Sequence, residues 1–229
     1  HTTLIRAIMT KEGTKVHQVK SNLFEAEEKE TLKMLNSFNP YVCEAFFVDK
    51  VILVEGDTEA VVFRELLNKL VENGELKLTE APLIVNCGSK MNIPTFQKVL
   101  QHFNVKYFVI HDRDEETTSS GTVSAAWTMN TKIDECIQNF NTVNPSSADK
   151  FVMYKNFEDA HDYTYNKSLG KPLSAFKLAQ SWDISDTSIA AVRAIKSALE
   201  LLDNEEPQTT YLEGSTSSRE EESTLSTTE

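Results

Sequence analysis

The apolar run VILV at residues 51–54 passes without a spacer into EGDTEAVVFRELLNKLVENG. A short β-branched run of this kind reads as a buried strand. Residues 57–73 have helical periodicity, with Asp57 or Thr58 as the expected cap and Gly74 as the stop. The pattern recurs. PLIVNCG (82–88) is a second strand, NIPTFQKVLQHFN (92–104) a second helix, VKYFVIHDRD (105–114) a third strand and KFVMYKNFED (150–159) a fourth. Strands alternating with helices of this length predict right-handed crossovers and a mostly parallel sheet covered by helices, an α/β fold.

The flanks read differently. Residues 1–45 are expected to be helical, on the spacing of LFEAEEKETLKMLNSF, and the opening HTTLIRAIMT without an initiating Met suggests a piece of a longer protein. A Ser/Thr-rich stretch, EETTSSGTVSAAW, precedes a helix running to about Asn141, and further helices are expected around 158–168, 172–182 and 186–202. The expected organisation is thus a helical segment over 1–45, an α/β domain with a helical C-terminal part over 46–202, and a disordered acidic tail over 203–229.

Charge and cysteine usage narrow the function. The net charge is −12, but the tail holds eight acids against the single base Arg219, leaving −5 for residues 1–202. A modestly acidic body does not advertise nucleic-acid binding by charge alone, although divalent cations reverse the local field at a carboxylate cluster. Cys43, Cys87 and Cys136 are an odd number without CxxC spacing, which argues against a disulfide framework or zinc ribbon and fits a reducing cytoplasm. No window approaches the roughly 20 apolar residues of a membrane span.

The acids stand where chemistry is expected. In open parallel sheets, ligands bind beyond the carboxyl ends of the strands. The first strand ends at Glu55, with Glu59 one helical turn later; the third ends at Asp112 and Asp114; the fourth runs into Glu158. Five carboxylates on one edge repel unless cations sit among them, and an all-oxygen set selects Mg²⁺, Mn²⁺ or Ca²⁺. Two such ions about 4 Å apart would suit in-line phosphoryl displacement. Gly88 and Lys90, after the second strand, are candidates for approaching a substrate phosphate. His111, by alternation, points to the other face of the sheet from Asp112, into the core.

In order, VEGDTE, NCGSKMNIPTF, VIHDRD, NFED and GKP resemble the TOPRIM region of the overcoming-lysogenisation-defect (OLD) family of ATP-dependent nucleases, over roughly residues 45–185. The resemblance implies a four-stranded TOPRIM sheet and metal-dependent endonuclease activity on DNA, with roles in phage defence or DNA repair. It implies that Glu55, Glu59, Asp112, Asp114 and Glu158 hold two Mg²⁺ or Mn²⁺ ions, and that Lys171 stabilises charge at the scissile phosphate. Glu59 stands where many members have Asp. The family's ATPase precedes this region, and no GxxxxGK[ST] loop is present here, so ATP use and most pairing into homodimers would belong to that missing part.

Two other readings are open on the sequence. VIHDRDEET would serve a haloacid-dehalogenase-like phosphatase with Asp112 as nucleophile, but Glu116 occupies the position where that family places Thr or Val. The domain could also bind nucleic acid through metal without turning it over.

Overall fold

A computed structural model gives the fold, describing residues 5–10, 13–18, 44–45 and 47–203. Four strands, β3 (Lys50–Val54), β4 (Leu83–Asn86), β5 (Lys106–Asp112) and β6 (Ala148–Met153), form one all-parallel sheet in the order β4-β3-β5-β6. Helices lie on both faces. Helix α1 (Asp57–Glu72) connects β3 to β4, α2 (Ile93–His102) connects β4 to β5, and α3 (Ala125–Val143) connects β5 to β6. After β6 come the single-turn α4 (Phe157–Ala160), then α5 (Lys171–Ser181) and α6 (Ala190–Asp203).

Strand alternation explains the layers. Ile52 and Val54 of β3, with Phe108 and Ile110 of β5, face a core built with α1, α5 and α6. Val51 and Leu53, with Tyr107 and Val109, face the core built with α2 and α3. Because both sides are covered, the central strands β3 and β5 are buried along nearly their whole length instead of alternating with exposed polar residues, whereas edge strand β6 carries Asp149 and Lys150. The chain runs from β3 outward to β4, then crosses back over β3 to β5 and on to β6. The order therefore reverses between β3 and β5, which makes their carboxyl ends the crevice where ligands bind in such sheets.

The helical expectation does not hold for residues 5–10 and 13–18. β1 (Ile5–Thr10) and β2 (Gly13–Gln18) form an antiparallel ribbon. Tertiary contacts override the helical pattern there: Arg6 is buried, donating to the carbonyls of Phe103 (3.1 Å) and Val48 (3.0 Å) and pairing with Asp49 at 2.6 Å. The helix expected over 19–43 and the tail from 204 lie outside the described residues. The helix expected over 158–168 stops at Ala160, since Asp162 takes a left-handed φ of 48° that ends helical winding. The helix expected from 186 begins at Ala190. No described helix is long and apolar enough to cross a membrane.

Candidate metal centre

Glu55 lies immediately past the last residue of β3, and its half-buried Oε1 accepts the backbone N–H of Asp112 at 2.7 Å. The contact bridges the two strands that flank the reversal in order. Gly56, not Asp57 or Thr58, caps α1, and the buried Glu59 reaches back to accept the Gly56 N–H at 3.1 Å. This is the carboxylate half of a capping box, so the second acid of the motif also fixes the turn that aims the first.

At the end of β5 the backbone stays paired beyond the strand. The Arg113 and Asp114 N–H groups donate to the carbonyls of Met153 (3.0 Å) and Lys155 (2.9 Å). Asp114 adopts a left-handed φ of 61°, turning its side chain toward Lys90. Asp112 Oδ1 is buried and has no hydrogen-bond donor.

Lys90 is 3% exposed, and its ammonium donates to the Asp112 carbonyl and pairs with Asp114 Oδ2 at 2.6 Å. The lysine expected near a substrate phosphate is thus a counter-ion inside the acidic cluster. Nothing in the local sequence distinguishes those two roles, because the pairing with Asp114 crosses 24 positions. Gly88 is exposed with a φ of 75°, its N–H donating to Asn86 Oδ1 at 2.7 Å.

Glu158 belongs to α4, whose cap is the Asn156 side chain accepting the Asp159 N–H at 2.9 Å. Its neighbour Phe157 is fully buried and anchors the turn. Glu158 Oε1 lies 2.7 Å from Lys171 Nζ, an ion pair approached off the hydrogen-bond axis. Lys171 opens α5 and also lies over the Tyr165 ring at 5.3 Å. The other end of α5 is held by Lys69 of α1, which donates to the carbonyls of Ala179 (2.9 Å), Gln180 (2.8 Å) and Trp182 (2.7 Å). A cation on the last carbonyls of a helix satisfies its orphan acceptors and its dipole together.

Electrostatics tie these groups into one cluster. Burial, then repulsion from Glu55, Glu59 and Asp114, raises the Asp112 carboxyl to about 8. Burial raises Glu55 to about 7, against the opposing pull of the Asp112 N–H and of Lys90. Glu59 is also raised by burial, with Glu158 adding repulsion. On the other face of β5, burial lowers His111 to about 4.

Among the described residues, no three histidine, cysteine or acidic side chains stand in coordinating positions together. Asp114 is turned to Lys90 and Glu158 to Lys171, so two of the five acids are engaged by internal cations. The donor chemistry nonetheless suits a hard divalent cation: every candidate is a carboxylate, and Asp112 Oδ1 is buried without a donor.

Residues 46–114 match the family model described as overcoming lysogenization defect protein-like, TOPRIM domain. No curated protein matches the chain. The matched segment is thus similar to OLD-like TOPRIM domains, a class of module associated with metal-dependent processing of nucleic acids, and the four-stranded parallel sheet agrees with that fold. It contains Glu55, Glu59, Gly88, Lys90, Asp112 and Asp114. Glu158 and Lys171 fall beyond it and are tied to the cluster through their own pairing and the electrostatic coupling to Glu59.

Proposed function

We propose that this chain is the catalytic part of a divalent-metal-dependent DNA endonuclease. The observation that carries the reading is the buried, donor-less Asp112 Oδ1 beside Glu55, at the reversal point of the sheet. Glu55, Glu59, Asp112, Asp114 and Glu158 would hold Mg²⁺ or Mn²⁺. Bound there, such ions offset the charge of the phosphate and lower the pKa of a water. Glu55 is held by the Asp112 N–H, which keeps a carboxylate facing the crevice. Lys171, exposed on one side and paired with Glu158 on the other, is placed to meet charge developing on a phosphate oxygen. The Glu59–Gly56 contact fixes the turn between them. Cys87 and Cys136 are not in disulfides, which accords with work in the cytoplasm.

The pairing of Asp114 with Lys90 and of Glu158 with Lys171 favours a second reading, a module that binds nucleic acid without cutting it. Nicking of supercoiled plasmid decides between them. With Mg²⁺ or Mn²⁺ the nuclease produces open circles, lost in Glu55→Ala and Asp112→Ala and in EDTA. Metal-dependent DNA retention without open circles at any protein concentration would overturn the nuclease and support the binding module.

A further inference from the structure

The acidic cluster holds two internal cations, and they are not equivalent. Lys90 is buried and donates two hydrogen bonds, to the Asp112 carbonyl and to Asp114 Oδ2. Its ammonium is closed to anything arriving from solvent. Lys171, at the start of α5, is half-exposed and meets Glu158 Oε1 at 2.7 Å off the hydrogen-bond axis. A hydrated ammonium on a long flexible stem, in a pair this open to water, exchanges partners at little cost. Lys90 is a fixture and Lys171 is exchangeable.

The backbones around the exchangeable pair are held. Lys69 of α1 grips the far end of α5 through the carbonyls of Ala179, Gln180 and Trp182. His161 Nε2 accepts the Ala191 N–H at 3.0 Å, which ties the chain beside Glu158 to the start of α6. Parting the pair therefore needs one side chain to swing and no helix to move. The Tyr165 ring, 5.3 Å from Lys171 Nζ, keeps the cation close by when it leaves the carboxylate. Both partners also lie in the field of the other acids: Glu158 and Lys171 act on Glu59, and Asp112 acts on Lys171.

We propose that Lys171 is a latch on Glu158 that DNA opens: a phosphate reaching the cluster takes the ammonium, and the released carboxylate becomes free to hold a second divalent ion. Among the described residues, Glu55, Glu59 and Asp112 pair with no lysine at the carboxylate, so they are the part of the site open to an ion before DNA arrives. Glu158 joins them only over a bound strand, which confines a fully loaded site to its substrate. Linkage makes the effect mutual, so DNA and the second ion strengthen each other's binding by the same factor. The inference rests on the nuclease reading for its substrate.

Manganese binding reads the latch without cleavage. With the whole chain and no DNA, the electron paramagnetic resonance signal of free Mn²⁺ counts the bound ions. We expect the wild type to bind one Mn²⁺ tightly and a second weakly, and Lys171→Met to bind the second ~10-fold tighter, a usual size for coupling between sites. Glu158→Gln abolishes that gain in the Lys171→Met background and changes Mn²⁺ binding less than about 2-fold in the wild-type background. A mere change of net charge would instead tighten Mn²⁺ whether or not Glu158 is present. A short DNA duplex, with its own Mn²⁺ uptake subtracted, brings the wild type to the level of Lys171→Met. Identical curves for wild type and Lys171→Met, a gain that survives Glu158→Gln, or wild-type uptake unmoved by DNA would overturn the latch. Lys171→Gln takes the place of the Met variant if that one does not fold. Plasmid nicking together with any of the overturning results leaves the nuclease reading intact and removes the latch. The expected curves without nicking do the reverse.

Discussion

Glu55 and Asp112 are joined across neighbouring strands by a side-chain-to-backbone hydrogen bond of 2.7 Å, so the first acid of the site is held by the amide of the third. The bond orients Glu55, yet the two carboxylates repel, and Glu55 is the foremost charged neighbour raising Asp112. A site held this way is organised at some cost in stability.

Glu55→Gln separates the two effects. The amide oxygen still accepts the Asp112 N–H, but the repelling charge is gone. We expect plasmid nicking to fall by at least ~100-fold, while Tm in EDTA holds or rises, as is common when a strained functional group is neutralised. A lower Tm measured by calorimetry would mean that the charge of Glu55 contributes to the fold.

Lys90→Met removes the internal counter-ion. Breaking a fully buried ion pair costs about 3–5 kcal/mol, and the 31% exposure of Asp114 reduces that to roughly 2 kcal/mol. In a chain of this length we expect a fall in Tm of about 4–8 °C in EDTA. Mn²⁺ should restore part of the loss, because a divalent ion can neutralise the same carboxylates. Thermal melts of wild type and variant with and without metal check both statements.

The metal-free protein should lose stability toward alkaline pH. Asp112 and Glu55 titrate near 8 and 7 when folded, above their ordinary 3.8 and 4.5, so the folded state holds extra protons between those limits. Their favourable contribution is complete at low pH and is lost as pH rises through 7 and 8. His111 runs the other way: its folded value of about 4 lies below the ordinary 6.5, so its contribution is lost as pH falls below 6.5. In EDTA, Tm should therefore rise as pH falls from ~8.5 to ~6.5 and rise less steeply below ~6.5, where His111 offsets one of the two acids, and Mg²⁺ should flatten the alkaline side. A Tm in EDTA that is flat between pH ~8.5 and ~6.5 would refute the assigned cluster.

Lys171→Met should leave stability within about 0.5 kcal/mol, because the ammonium is 52% exposed. Nicking should fall by ~10²-fold, the scale of losing one preorganised group on a developing oxyanion. If rate is unchanged, Lys171 is only the partner of Glu158.

The central strands were legible because they are nearly uninterrupted apolar runs, and the acids at their ends could be placed by position alone. What escaped sequence reading depended on contacts far along the chain. Arg6, in the ribbon of residues 5–10 and 13–18, bonds to Phe103, 97 positions away, which no local periodicity encodes. The Gly56 cap was missed because Asp57 and Thr58 are better formers of side-chain caps, whereas here Glu59 supplies the carboxylate from inside the helix. Lys90 reads as a candidate contact to a substrate phosphate, and its pairing with Asp114 shows only once the turn at Asp114 is known.

His161 is the hinge pin of the C-terminal half. Its Nδ1 donates to the Phe157 carbonyl at 2.7 Å, its Nε2 accepts the Ala191 N–H at 3.0 Å, and its ring stacks on Trp182. One imidazole thus fastens the turn bearing Glu158 to the start of a helix 30 residues downstream. The last acid of the cluster, itself beyond the matched segment, is in effect moored by a helix further along the chain. Losing that mooring would leave the four acids held by the central strands and the α1 turn in place while setting the fifth adrift.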